Sequence, residues 1–326
     1  MRCVSISVYD KFNLEGEKMS TVIVFQQMLV VLLMMMTGCY LFRRQILPKT
    51  SAAAISALIA KVCNPALMLS SAFDENNSAT TEDILTAAVV AVVLYAILLI
   101  LGKILPVLLK VSADERKFYT MMTVYGNIGF MGIPVASAVL GSESVIYLTV
   151  FILVFNVLVY THGMQTLSRG QSEKGQWKRM INVGTIASVI TVAVFLLKIP
   201  VHVVLTDTFT YMGRCTTFLS MVVLGGSLAK MSLKELFGEK RLYGFAAIRF
   251  FILPAAAALI LRNLIANEMI LSVSVLTLAL PVANLPLMLA EEQQMEARLL
   301  AKGIILTTLL SVVSVTLSVC VLNLRW

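Results

Sequence analysis

The chain has 326 residues, 59% of them hydrophobic and only 13% charged, with a mean hydropathy of +0.89. A soluble chain carries roughly 25% charged residues, so this composition excludes an ordinary soluble enzyme or binding module and predicts an all-α protein that crosses a membrane many times. The net charge of +8 could suggest nucleic acid, but the basic residues sort into alternate short loops, which signals topology and implies no nucleic-acid partner.

Residues 1–19 are polar and mixed in charge, without the apolar core and small-residue cleavage site of a signal peptide, and read as a retained tail. A spanning helix needs about 20 mostly apolar residues. Ten segments qualify: 20–42, 52–73, 84–109, 117–141, 144–167, 180–198, 207–229, 242–262, 269–290 and 303–323. Lys61 interrupts the second, Arg214 the seventh and Arg249 the eighth. The fourth and ninth carry nearly the same five residues, Ile133-Pro134-Val135-Ala136-Ser137 and Leu280-Pro281-Val282-Ala283-Asn284. Proline inside a membrane helix kinks or breaks it, and matched breaks in two halves point to a transporter with its site at the repeat interface.

The first loop holds Arg43, Arg44 and Lys49, the third Lys110, Arg116 and Lys117, the fifth Arg169, Lys174, Lys178 and Arg179, and the seventh Lys230, Lys234, Lys240 and Arg241. The second holds Asp74, Glu75, Glu82 and Asp83, and the fourth only Glu143. The positive-inside rule then makes the odd loops cytoplasmic and puts both termini outside, in the cell's inner (plasma) membrane. The expected organisation is a first five-helix repeat over 20–167, a cytoplasmic linker over 168–179 and a second repeat over 180–326. Five spans is an odd number, so the second repeat must be inverted relative to the first.

In the fourth segment Gly126, Gly129 and Gly132 precede Pro134, a poor composition for a continuous helix. The glycines serve either close helix packing or an unwound stretch whose free amides and carbonyls line a site. The ninth segment repeats the pattern with Pro281, Asn284 and Pro286. A polar amide at mid-membrane is costly without a partner, which makes Asn127 and Asn284 candidate substrate contacts. Ser137 closes the first pentapeptide and is a further candidate. Asn64, just before Pro65, is either another contact or part of a helix kink.

Asn127 through Pro134, NIGFMGIP, resembles the fourth-segment signature of the auxin efflux carrier family, bacterial type. Ala279 to Glu292, ALPVANLPLMLAEE, resembles its ninth segment, with weaker echoes in Asn64–Phe73 and Ser220–Ala229. The resemblance implies two inverted five-helix repeats, fourth and ninth helices that cross at their breaks, and a fold similar to bile-acid symporters and sodium/proton antiporters. It also implies an elevator motion and organic-anion substrates, such as auxin in plants and malonate or malate in some bacterial members. Asn284 stands where plant members commonly have a small or apolar residue.

No Asp or Glu lies in the central part of any predicted span, which argues against a relay of paired aspartates. Lys61 and Arg249 do lie deep. Each either snorkels to an interface or offers counter-charge to an anion, and Lys61 is the first choice for that role. Arg214, near the outer end of its segment, reads as snorkelling. The five cysteines are scattered and the two histidines far apart, so neither metal nor other cofactor is expected. HExxH, GxSxG and nucleotide-loop patterns are absent, which makes a membrane enzyme the least favoured reading. Three readings remain: a carrier for a small organic anion, by uniport or efflux; a sodium- or proton-coupled symporter; and a non-transporting sensor or assembly component. The partners implied are the organic anion and the lipid bilayer, with a homodimer left open.

Overall fold

The computed structural model describes residues 21–48, 50–73, 78–168, 181–229 and 239–323. The tail expected at 1–19 and nearly all of the linker expected at 168–179 lie outside them. The described residues are helical and contain no strand. In chain order they form α1 (Thr21–Arg43), α2 (Ser51–Ala72), α3 (Thr81–Leu108), α4a (Arg116–Val124), α4b (Ile128–Leu140), α5 (Ser144–Leu167) and α6 (Val183–Leu196). There follow α7 (Val203–Ala229), α8 (Lys240–Leu261), α9a (Glu268–Ala279), α9b (Leu285–Glu292) and α10 (Arg298–Asn323). Seven of these, α1, α2, α3, α5, α7, α8 and α10, are long and apolar enough to cross a membrane. The apolar α4b, α6 and α9a are shorter.

Local chemistry sets several of the boundaries. Thr80 begins α3 with a capping box: its hydroxyl accepts from the Asp83 amide at 3.1 Å, and the Asp83 carboxylate accepts from the Thr80 amide at 2.9 Å. Asn267 caps α9a through its side-chain oxygen, while its Nδ2 donates to Asp83 Oδ1 at 2.7 Å. The starts of α3 and α9a are therefore tied to each other.

Pro134, expected to break the fourth segment, does not. The wide turn Ile128–Gly132 precedes it, and Pro134 sits in the first turn of regular helix that follows. The same device recurs at Ile59–Cys63 before Pro65 and at Ile248–Ile252 before Pro254. A proline lacks the amide for a normal helical bond and its ring crowds the carbonyl four residues back. A π turn widens the helix at that point and absorbs both defects without a break.

Small residues set the tightest packing. α1 lies along α7 with Gly38 against the Val222 backbone and Gly225 against Met35, Gly38 and Cys39. Close backbone approach at small residues is a main source of helix association in lipid. α2 packs on α6 and on α7, where Gly213 faces the Leu67 backbone. α3 packs on α4a and α5, and α10 packs on α8, α9a and α1.

Candidate functional site

The interruption in the fourth segment covers only Tyr125–Asn127, and that in the ninth covers Leu280–Asn284. Tyr125 and Leu280 are extended rather than helical. Extended backbone can pair, and these two stretches pair with each other. The Asn127 amide donates to the Pro281 carbonyl at 2.7 Å, and the Ala283 amide donates to the Tyr125 carbonyl at 3.0 Å, as an antiparallel bridge centred on Gly126 and Val282. A side chain at Gly126 would point at the carbonyl oxygens of Thr277, Leu280 and Pro281, which explains the glycine. Gly129 and Gly132, expected to share the unwound stretch, lie instead in the π turn that opens α4b.

Backbone freed at a buried break needs partners, and the neighbouring helices supply them. On α10, Thr307 accepts from the Val282 amide at 3.0 Å and Ser314 donates to the Ala279 carbonyl at 2.9 Å. Arg249, in the π turn of α8, is 1% exposed. Its Nε donates to the Thr123 carbonyl at 2.7 Å and its Nη1 to the Leu278 carbonyl at 2.5 Å. The Tyr125 hydroxyl donates to the Leu158 carbonyl at 2.9 Å and lies 3.0 Å from His162 Nδ1, which ties the break to α5. Thr123, Tyr125, Thr307 and Ser314 carried no sequence signal, because hydroxyl residues are common in membrane helices.

The expected site residues divide into three groups. Asn127 and Asn64 come together around α4b. Asn127 Oδ1 caps that helix by accepting from the Phe130 amide at 3.2 Å, and Asn64 Nδ2 donates to the Gly129 carbonyl at 3.3 Å. Both side chains are buried, and each keeps one atom without a partner, Nδ2 of Asn127 and Oδ1 of Asn64. Asn284 is half-buried at the start of α9b, with Pro281 before it in the break and Pro286 after it in the first turn of that helix. Lys61 stands apart: it lies in the π turn of α2 and is exposed.

Ser137 belongs to the third group, which lines a cavity of about 1460 Å³. The walls come from α2, α6 and α7 on one side and from the start of α3, α4b and the start of α5 on the other. Ser70, Thr80, Thr206 and Thr210 line it, together with Lys198 and Arg214. None of its described lining residues is acidic. Arg214, itself exposed, lines the cavity, and its guanidinium lies 5.8 Å from the ring centre of Tyr211.

Two broken helices bonded to each other and a wide cleft lined by Lys198 and Arg214, in a chain of long apolar helices, define the class: a multi-pass membrane transport protein. A family described as membrane transport protein matches residues 23–176 and 169–319. The chain belongs to that family, the auxin efflux carriers. No curated protein matches it.

Proposed function

We propose that this protein is a secondary carrier for a small carboxylate-bearing anion, working by elevator-type alternating access as a uniporter or exporter. The observation that carries the reading is the large cavity, with two cations, several hydroxyls and no acidic side chain among its described lining residues. Such a cleft concentrates anions. At the crossing, the unpartnered Asn127 Nδ2 is a buried donor at the start of α4b. Helix N-termini favour anions, and Asn64 and Asn284 stand nearby as further polar contacts. The two sets of cavity walls are the two bodies that an elevator needs, with α2, α6 and α7 as the frame. An anion leaving a cell with a negative interior is driven by the potential, about 2.3 kcal/mol per charge per 100 mV, so export needs no coupling ion.

Ligand stabilisation tests the reading. A bound carboxylate at about 100 times its Kd should stabilise the purified protein by about 2.7 kcal/mol. Across a panel of mono- and dicarboxylates, at least one should raise the melting temperature in detergent. For that compound, Asn127→Ala should weaken affinity about 10- to 100-fold and Arg214→Gln about 10-fold. A panel with no stabilising member, or two variants that bind as tightly as the parent, would remove the anion site.

The reading includes ten crossings in two inverted repeats with both termini outside, so the cavity opens outward. Single cysteines at Ser78 and Ser172, in a cysteine-free background, should then react with an impermeant maleimide from opposite faces, Ser78 from outside. Reaction of both from one face contradicts this topology.

A further inference from the structure

Arg249 is the largest of the fully buried side chains, and its surroundings are unusual for a charge at that depth. Among the described residues no carboxylate pairs with it; its hydrogen-bond partners are the two backbone carbonyls of Thr123 and Leu278, and the buried Tyr95 hydroxyl is a further electrostatic neighbour. These are not arbitrary carbonyls. Thr123 is the penultimate residue of α4a and Leu278 the penultimate residue of α9a. Each therefore belongs to the last turn before a break, where carbonyls lose their helical partners and the helix dipole is negative. The Phe250 ring lies 5.2 Å from the guanidinium carbon and adds a cation–π contact. The two broken helices aim their negative ends at one point, and a positive group fills it.

Backbone carbonyls converging on one point are also what a hard metal cation takes as ligands. We infer that Arg249 is a tethered cation at the crossing, doing there what a bound coupling ion would do: it joins the two broken helices and leaves a positive charge beside the substrate path. The inference rests on the carrier reading, and it gives a physical reason for the absence of ion coupling. The cation never leaves, so it balances a passing anion without being transported. A guanidinium suits the place because it forks to two acceptors in fixed geometry and keeps its charge when buried. Arg249 is thus a positioning residue, acting through the carbonyls of Thr123 and Leu278 rather than by touching substrate.

The test is thermal unfolding of the purified full chain in detergent, in sodium chloride or choline chloride at equal ionic strength, with and without methylguanidinium. The parent protein should melt at the same temperature in both salts. Arg249→Ala should melt about 5–10 °C lower in choline and regain a substantial part of that loss with methylguanidinium. Arg249→Lys keeps a tethered charge and should melt within about 3 °C of the parent, equally in both salts. The inference is overturned if sodium stabilises the parent over choline, if Arg249→Ala melts like the parent, or if no small cation restores it. Where the alanine variant does not survive purification, Arg249→Lys decides, and a lysine variant that is lost as completely contradicts the tethered charge. None of these readouts needs a transported substrate. A failure of the carrier reading and a failure of the tethered cation are therefore separate results.

Discussion

Gly225→Val should deprive the protein of its stable fold, with an expected cost of about 3–5 kcal/mol. Overpacking a core ordinarily costs about 1–3 kcal/mol because side chains can swing away. Here a Cβ at Gly225 collides with the Met35 carbonyl oxygen and would stand 2.7 Å from the Cys39 amide nitrogen and 3.0 Å from the Gly38 carbonyl carbon. All three are backbone atoms of α1, so relief requires that whole helix to move off α7. Gly38 answers from the opposite side, where a Cβ would collide with the Val222 carbonyl oxygen. Monodispersity and thermal unfolding in detergent measure the effect. Ser227→Ala is the control, because that hydroxyl only bonds back to the Val223 carbonyl of its own helix at 3.3 Å, and it should stay within about 0.5 kcal/mol of the parent. A Gly225→Val protein as stable as the control would mean that α1 and α7 do not meet as described.

The second large effect is on transport. Gly126→Val should lower carboxylate flux at least about 100-fold in proteoliposomes, normalised to incorporated protein. A Cβ at Gly126 lies 3.3 Å from the Thr277 carbonyl oxygen and 3.7 Å from those of Leu280 and Pro281. The added valine methyls must push the ninth segment away, breaking the bonds from Asn127 to Pro281 and from Ala283 to Tyr125. Each buried backbone group left unpaired costs about 1–3 kcal/mol, and two such losses correspond to that fall in rate. Gly129→Ala separates the crossing from the glycine motif as such. Its Cβ would have only Asn64 Nδ2 within reach, at 3.7 Å, and alanine favours helix by about 0.5–1 kcal/mol. That variant should fold and retain flux. Equal behaviour of the two would show that the pairing of the breaks is not required.

Much of this architecture was legible in the sequence, for reasons that also mark where legibility ended. Apolar length fixed where α1, α3, α5 and α10 fall, because burial in lipid demands it. The pentapeptides around Pro134 and Pro281 marked two disturbed segments. With the glycines, they drew the first break too wide, from Gly126 to Pro134 where only Tyr125–Asn127 leaves the helix, because glycine and proline report only that a helix is weak. The position of the gap at Tyr125–Asn127 is set by its partner, the extended stretch around Val282, and a partner more than a hundred residues away leaves no local trace. The deep cations show the same limit. Lys61 and Arg249 carry one sequence signature, a basic residue a few places before a proline, and both fall in π turns. One is exposed and the other enclosed. The difference is the direction each turn faces, which depends on what its helix packs against. The cavity was illegible for a related reason: Ser137 and Arg214 come from α4b and α7 and Lys198 from the connection after α6, and only their assembly makes one surface.

The central claim is that a carboxylate crosses through this protein as a charge. The most direct measurement is flux of the best-stabilising carboxylate in proteoliposomes under a potential set by a potassium gradient and valinomycin, with sodium replaced by choline and no pH gradient. The account predicts movement of one net negative charge or more per carboxylate, accelerated when the compartment losing the anion is negative and unaffected by sodium. Flux that ignores the potential, or that stops when sodium and the proton gradient are both removed, would contradict it.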